Sequence, residues 1–253
     1  MSDLIIASIV FVCCSGGALI GLVLHRLVPE HHLDTDSKDT VKLVMGLIAT
    51  MSALVLGLLI ATAKSSYDTQ QTAVQQLAAD IVQFDRRLAR FGPETKEIRA
   101  RFRDEVFRAH ARIWQAEGTQ VAALDPMTPA REFEAISDQI QDLVPNTDAQ
   151  HDDQAKALEI WSTMNHTRLL MFAAVTSRIP PPFLIVLVLW VIALFLGFGL
   201  LARFNMTVTV SLLIGALSIA AAIFLILELS NPFSSLLRIS DAPIQFALSH
   251  IGQ

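Results

Sequence analysis

Residues 41–91 read VKLVMGLIATMSALVLGLLIATAKSSYDTQQTAVQQLAADIVQFDRRLARF, and this stretch decides the fold. From Val41 to Ala63 it is apolar, with no charge after Lys42. That length crosses a hydrocarbon core of about 30 Å as a helix. From Lys64 onward the composition turns polar, yet Val74, Leu77, Ile81, Phe84, Leu88 and Phe91 recur at alternating intervals of three and four. Such spacing lays one apolar seam along a helix. No proline interrupts the stretch, and its glycines, Gly46 and Gly57, lie at lipid depth. The prediction is one helix that leaves the membrane without a break, about 75 Å long at 1.5 Å per residue. Gly92 and Pro93 end it, a glycine just past the last turn and a proline that cannot continue it.

The whole chain has 253 residues, 53% of them hydrophobic and 17% charged, with a mean hydropathy of +0.49. Oil and charge are segregated along it. Three further apolar runs, Leu4 to Leu24, Phe183 to Leu201 and Val208 to Leu227, match the span-length run at Val41 to Ala63. Four transmembrane helices follow. The first begins MSDLII and lacks the positive leader of a secretory signal, so it reads as retained. Cys13 and Cys14 sit inside it, where they serve as small apolar packing residues and say nothing of a disulfide-forming compartment.

The polar segment from 64 to 179 shows helical periodicity and no strand pattern. A second helix carries Ile98, Phe102, Val106, Ala109 and Ile113. Thr128 and Pro129 read as N-cap and first residue of a third, with Phe133, Ile136, Ile140 and Leu143 inward. A last helix begins after Pro145 with Asp148, Asp152 and Asp153 at its positive end, and runs through Leu158, Trp161 and Phe172 to the prolines 180–182. The fold class is therefore an all-α membrane protein: four transmembrane helices, with a soluble antiparallel helical bundle inserted between the second and third spans. The expected divisions are 1–63, 64–179, 180–230 and 231–253, the last holding a joint and a short amphipathic helix with Ile244, Ala247, Leu248 and Ile251 on one face. That helix lies on the membrane or against the bundle.

Charge in the bundle is polarised. Residues 85–112 hold nine Arg or Lys against five acids, a net of +4, whereas 117–159 hold ten acids against Arg131 and Lys156, a net of −8. One reading is a basic hairpin packed beside an acidic one. The other is a basic vestibule, with Arg86, Arg87 and Arg90 as its candidates, concentrating anions before a pore. The positive-inside count does not choose an orientation, since Arg26, Lys38, Lys42 and Arg203 flank one side and Lys64, Arg178 and Arg238 the other.

On the second span Gly46, Thr50, Ala53, Gly57, Ala61 and Lys64 form a stripe of small side chains ending in a cation. Small stripes let helices approach closely. Alternatively, copies of this helix surround an axis, leaving a narrow lumen with Leu54 and Leu58, beside Leu47, as hydrophobic constrictions. Gly17 with Gly21, and Ser211 with Gly215, repeat the small-residue spacing on the first and fourth spans. The stretch HRLVPEHHLDTD offers His25, His31, His32, Asp34 and Asp36, but without a frame to fix them it reads as a hydrated loop rather than a metal site. No catalytic triad, HExxH, phosphate loop or dinucleotide fingerprint appears. An enzyme is disfavoured, and no metal, cofactor or nucleic-acid partner is expected.

Near its end the fourth span carries Glu228, then Asn231, Pro232, Phe233 and Ser234. An acid costs about 2.5–3.5 kcal/mol at a bilayer centre by insertion scales, so Glu228 must meet an interface, protein or water. These residues read as a structural joint between span and soluble bundle, with Phe233, Leu236 and Leu237 as interfacial anchors.

Three motifs carry a family resemblance: GGALIGLVLHRLVPEHH at 16–32, LIATMSALVLGLLIATAKSSYD at 47–68 and LELSNPFSSLLRIS at 227–240. Together with the order of spans and insertion, the chain resembles the bacterial bestrophin-like membrane family along nearly its whole length. Asn231 and Ser235 depart from the Asp and Gly of that pattern. More distantly, it is similar to the bestrophins, homo-oligomeric anion channels whose second span lines an axial pore and continues into a cytosolic helical domain. The resemblance implies an inner-membrane homo-oligomer that passes small inorganic anions, with the bundle and both termini cytoplasmic. The alternative is a membrane-anchored helical scaffold or sensor through which nothing permeates.

Overall fold

A computed structural model describes residues 3–27, 35–115, 127–176, 181–202, 204–233 and 236–252. Among these residues every regular element is helical: α1 (Asp3–Leu27), α2 (Thr35–Phe91), α3 (Lys96–His110), α4 (Met127–Gln141), α5 (Asp148–Thr176), α6 (Pro181–Leu201), α7 (Met206–Leu229) and α8 (Ala242–His250). Four of them, α1, α2, α6 and α7, are long and apolar enough to cross a membrane. The chain is thus an all-α membrane protein whose helical insertion lies between the second and third spans.

The 57 residues of α2 form the continuous helix that the seam at 74–91 predicts. It begins earlier than Val41, at Thr35, with Asp36 in its first turn, where an acid complements the helix dipole. At its other end Gly92 adopts φ 144°, a backbone setting that glycine alone adopts without penalty. Two side chains satisfy carbonyls orphaned there. Thr95 Oγ1 donates to Leu88 O at 2.6 Å, and Gln150 Nε2 to Phe91 O at 2.7 Å.

The chain divides into two compact units, Met1–Ser65 with Ile179–Ser230, and Ser66–Arg178 with Asn231–Gln253. In the first, α1 packs on α6 and α7. Contact with α6 is close because Gly17, Gly21 and Gly199 have no side chains. A methyl on Gly21 would collide with the backbone of Leu196 and Leu200, and one on Gly199 with Ala18 O and Leu22 N. Gly197 likewise makes room for the Met45 thioether of α2. Asn205 caps α7, its side chain accepting from Thr207 N, a contribution of about 1 kcal/mol.

The second unit is built on the seam. Val74, Ile81, Phe84 and Leu88 are buried with Ile98, Phe102, Ile136, Ile140 and Trp161. Phe84 meets Phe102 with centroids 4.6 Å apart and Trp161 at 5.1 Å. Truncating any of the three to Ala would cost about 3–5 kcal/mol. After α3 a π-helical turn, Ala111–Gln115, widens the helix and carries Trp114 to the segment after α7. There Trp114 Nε1 donates to Ile239 O at 3.0 Å, and its ring stands edge-on to Phe233 at 5.8 Å. Phe233 is 7% exposed and belongs to this core. This corrects its expected role as an interfacial anchor: the indole offers it a better apolar surface than a headgroup region does. The last helix, α8, packs on α3 with Ile244 and Ala247 buried. His110 Nε2 lies 2.8 Å from Asp241 Oδ2 at one end of that contact, and Gly252 N donates to Asp85 Oδ2 at 3.2 Å at the other.

Candidate functional site

The membrane part of α2 has two unlike faces. Met45, Ser52, Leu59 and Ala63 are buried, which is the face turned toward the rest of the first unit. Gly46, Thr50, Ala53, Leu54, Gly57, Leu58, Ala61 and Lys64 are all exposed in the chain taken alone. At about 100° per residue, the small stripe is centred about 130° around the helix from the packed face. Methyl groups built on Gly46 or Gly57 would meet nothing within 4 Å. Contrast Gly21 and Gly199, whose hydrogens are required by a neighbouring backbone. The packing explanation therefore accounts for α1 and α6 within the chain, whereas at Gly46 and Gly57 the described residues offer no such close neighbour.

Span by span, α2 is the least covered. Only 17% of its apolar window is buried, against 22% for α7 and 33% for α1 and α6. The exposed surface mixes Leu47, Leu54 and Leu58, each more than 60% exposed, with the glycines, alanines and Thr50. The Thr50 hydroxyl donates to Gly46 O at 2.8 Å, so its proton is already satisfied along the helix while the oxygen retains acceptor capacity.

Of the three vestibule candidates, Arg86 and Arg90 are exposed. Arg87 is committed to Asp153, 2.9 Å away, whose side chain is 11% exposed. This pair joins the basic segment to the acidic one, as the intramolecular reading of the charge pattern requires. Other basic residues are held locally. Arg99 forks onto Asp85 through Nε and Nη2, both at 2.8 Å, and Arg112 reaches Glu105 at 2.6 Å. The Asp85 hydrogen bond holds the Arg99 guanidinium even more firmly protonated than usual. Burial lowers the Arg168 guanidinium below its ordinary value, opposed by nearby Glu105 and abetted by Arg112. Burial also raises the Asp80 carboxyl, whose Oδ2 has no hydrogen-bond partner.

The joint residues divide between the two units. Glu228 lies in the last turn of α7 and is 4% exposed, so among interface, protein and water its carboxylate faces protein. Asn231 is half-buried, and Pro232 and Phe233 are buried. Ser234 lies outside the described residues. Of the histidine-rich stretch, His31, His32 and Asp34 also lie outside them, while His25 Nδ1 hydrogen-bonds Leu200 O at 2.9 Å. Among the described residues no group of His, Cys, Asp or Glu is arranged to hold a metal ion. The contacts of Trp114 with Ile239 and of His110 with Asp241, in the segment after α7, were not foreseeable from spacing, since the partners are separated by 125 and 131 residues.

Comparison with solved structures gives the same architecture. A bacterial bestrophin homolog from Klebsiella pneumoniae superposes with a TM-score of 0.71 at 11% identity, covering 96% of each chain. Two single-substitution variants of that homolog give TM-scores of 0.73 and 0.72 at 12% identity, covering 99% and 98% of this chain and 97% of theirs. No curated protein matches the chain. Residues 12–244 match the Bestrophin-like domain, a span that takes in most of α1, the other three membrane helices and the insertion between them, and the chain accordingly belongs to the Bestrophin-like family.

Proposed function

We propose that the protein is a homo-oligomeric ion channel of the bacterial inner membrane, selective for small anions, in which copies of α2 surround a central pore. Gly46, Thr50, Ala53, Gly57 and Ala61 line the lumen in this reading, Leu54 and Leu58 narrow it, and Lys64 places a cation at its end. Arg86 and Arg90 contribute to a basic vestibule, with Arg87 partly neutralised by Asp153. The carrying observation is the exposure of the whole small-residue stripe on the least covered of the four spans. Lipid tails have no need of such a stripe, whereas a narrow lumen does. Family membership supports the same reading, in which the second unit and both termini face the cytoplasm.

A non-conducting scaffold or sensor would use the long α2 to transmit movement or to dock a partner; its seam is packed within the chain against Phe102, Ile98 and Trp161, which weighs against docking there. The test is recording from purified protein in planar bilayers. Unitary currents with reversal potentials that follow the anion gradient are expected, with Gly57→Leu abolishing current in an oligomer of unchanged size and Lys64→Glu moving reversal toward cations. Silent bilayers from intact oligomer would remove the channel, and reversal that follows cations would remove the selectivity.

A further inference from the structure

Phe107 and Phe246 are 59% and 61% exposed, although both stand on helices whose other faces complete the core of the second unit. Those helices, α3 and α8, pack together. His110 and Asp241 tie them at one end, and at the other the Arg103 side chain lies against Gly252. Each phenylalanine falls between the two ties in sequence. At about 100° per residue, Phe107 stands about 40° from Arg103 and about 60° from His110, on the edge of α3 beside α8. Exposed Lys96 and Arg103 share that edge, and among the described residues neither enters an ion pair. The exposed acids of α3, Glu97 and Asp104, lie about 90° farther round. This edge is therefore apolar at its centre and basic at its rim.

The same unit carries the complement. Glu134 and Asp138 on α4 and Asp142 just past its end recur every four residues, all exposed, about 180° around from buried Ile136 and Ile140. Like charges at that spacing repel, and no ion pair among the described residues relieves them. The pair of Arg87 with Asp153 joins the basic and acidic segments but leaves this stripe untouched. Because α4 packs on α3 and α5 and makes no comparable contact with α8, the stripe and the basic edge do not meet within one chain. Two unlike, complementary faces suit a head-to-tail contact between copies, which closes a ring when repeated.

We propose that Phe107 and Phe246 of one copy, rimmed by Lys96 and Arg103, seat against the acidic stripe of the next copy, a contact between neighbours that rests on the oligomer proposed above. Chemical cross-linking of the full chain in detergent tests it, in a Cys13→Ala, Cys14→Ala background with Ala100→Cys on the basic edge and Ala135→Cys beside the stripe, both exposed positions. A short bismaleimide should link the double variant into species larger than a monomer on denaturing gels and leave either single variant monomeric, as a head-to-tail contact requires. Adding Lys96→Glu with Arg103→Glu should lower the linked fraction several-fold, and Glu134→Lys with Asp138→Lys in that variant should restore it. Light scattering reports the assembly in parallel. An oligomer that yields no linked species would overturn this contact and leave the oligomer standing, whereas monomer throughout would overturn both. Linking by a single variant as efficient as by the double would mean a two-fold contact in place of this one. A loss that the second charge reversal fails to restore would overturn the pairing of the two faces.

Discussion

Two aspartates of the second unit respond oppositely to pH, and the difference originates in single contacts. Burial raises the Asp80 carboxyl above its ordinary 3.8, the Gln76 hydrogen bond opposing only in part. The folded state therefore holds that proton more tightly than the unfolded chain does, and stability falls as pH rises from about the unfolded value through the raised one. Asp241 is lowered, chiefly by the hydrogen bond from His110. Its contribution is present above the unfolded value and lost as pH falls through the depressed one. Asp80→Asn should thus gain on the wild type in melting temperature as pH increases from about 4 to 7, whereas Asp241→Asn should lose on it as pH increases from about 2 to 4. Thermal melts of the detergent-solubilised protein across the two ranges check both signs, and stability changes of the same sign in the two variants would refute the assignment. Neither response was legible in the sequence. An Asp is an Asp until its neighbours are known, and His110 meets Asp241 across 131 residues.

At the scale of elements, glycine has two different uses in this membrane unit. On α1 and α6 it permits backbone contact, so Gly21→Ala or Gly199→Ala must force the helices apart, at a cost of about 1–3 kcal/mol. On α2 the same substitution at Gly46 or Gly57 meets open space and should be neutral or stabilising by up to about 1 kcal/mol through helix propensity. Melting temperatures of the four variants separate the classes. Equal losses at all four would mean that the stripe on α2 is closely packed rather than open. The GxxxG spacing at Gly17 and Gly21 was readable from sequence as a packing device, and the stripe on α2 looked the same. Only the partner differs. Spacing encodes which residues share a face, but not what that face meets. The long helix itself was fully readable, because its apolar run and its seam share one unbroken helical period.

For the whole molecule, the exposed stripe on α2 becomes an interface or a lumen only when copies assemble. If the second spans surround one axis, Ala61→Cys in a background lacking Cys13 and Cys14 should yield disulfide-linked species between copies under mild oxidation, resolved by non-reducing gel electrophoresis. Leu19→Cys, exposed on α1, provides the comparison on a different span. Cross-linking at 19 and none at 61 would place another helix at the centre. By itself, the sequence determined the number of spans, the helical insertion and the family, because each depends on runs and periods within one stretch of chain and on the free energy of moving that stretch between water and oil. The tertiary structure decided that Glu228 faces protein, that Phe233 is core, that Arg87 is paired and that α2 is the least covered span. Each of these depends on which surfaces meet across more than 60 residues of chain or on which find no partner within it, and side-chain chemistry at one position carries no record of that encounter.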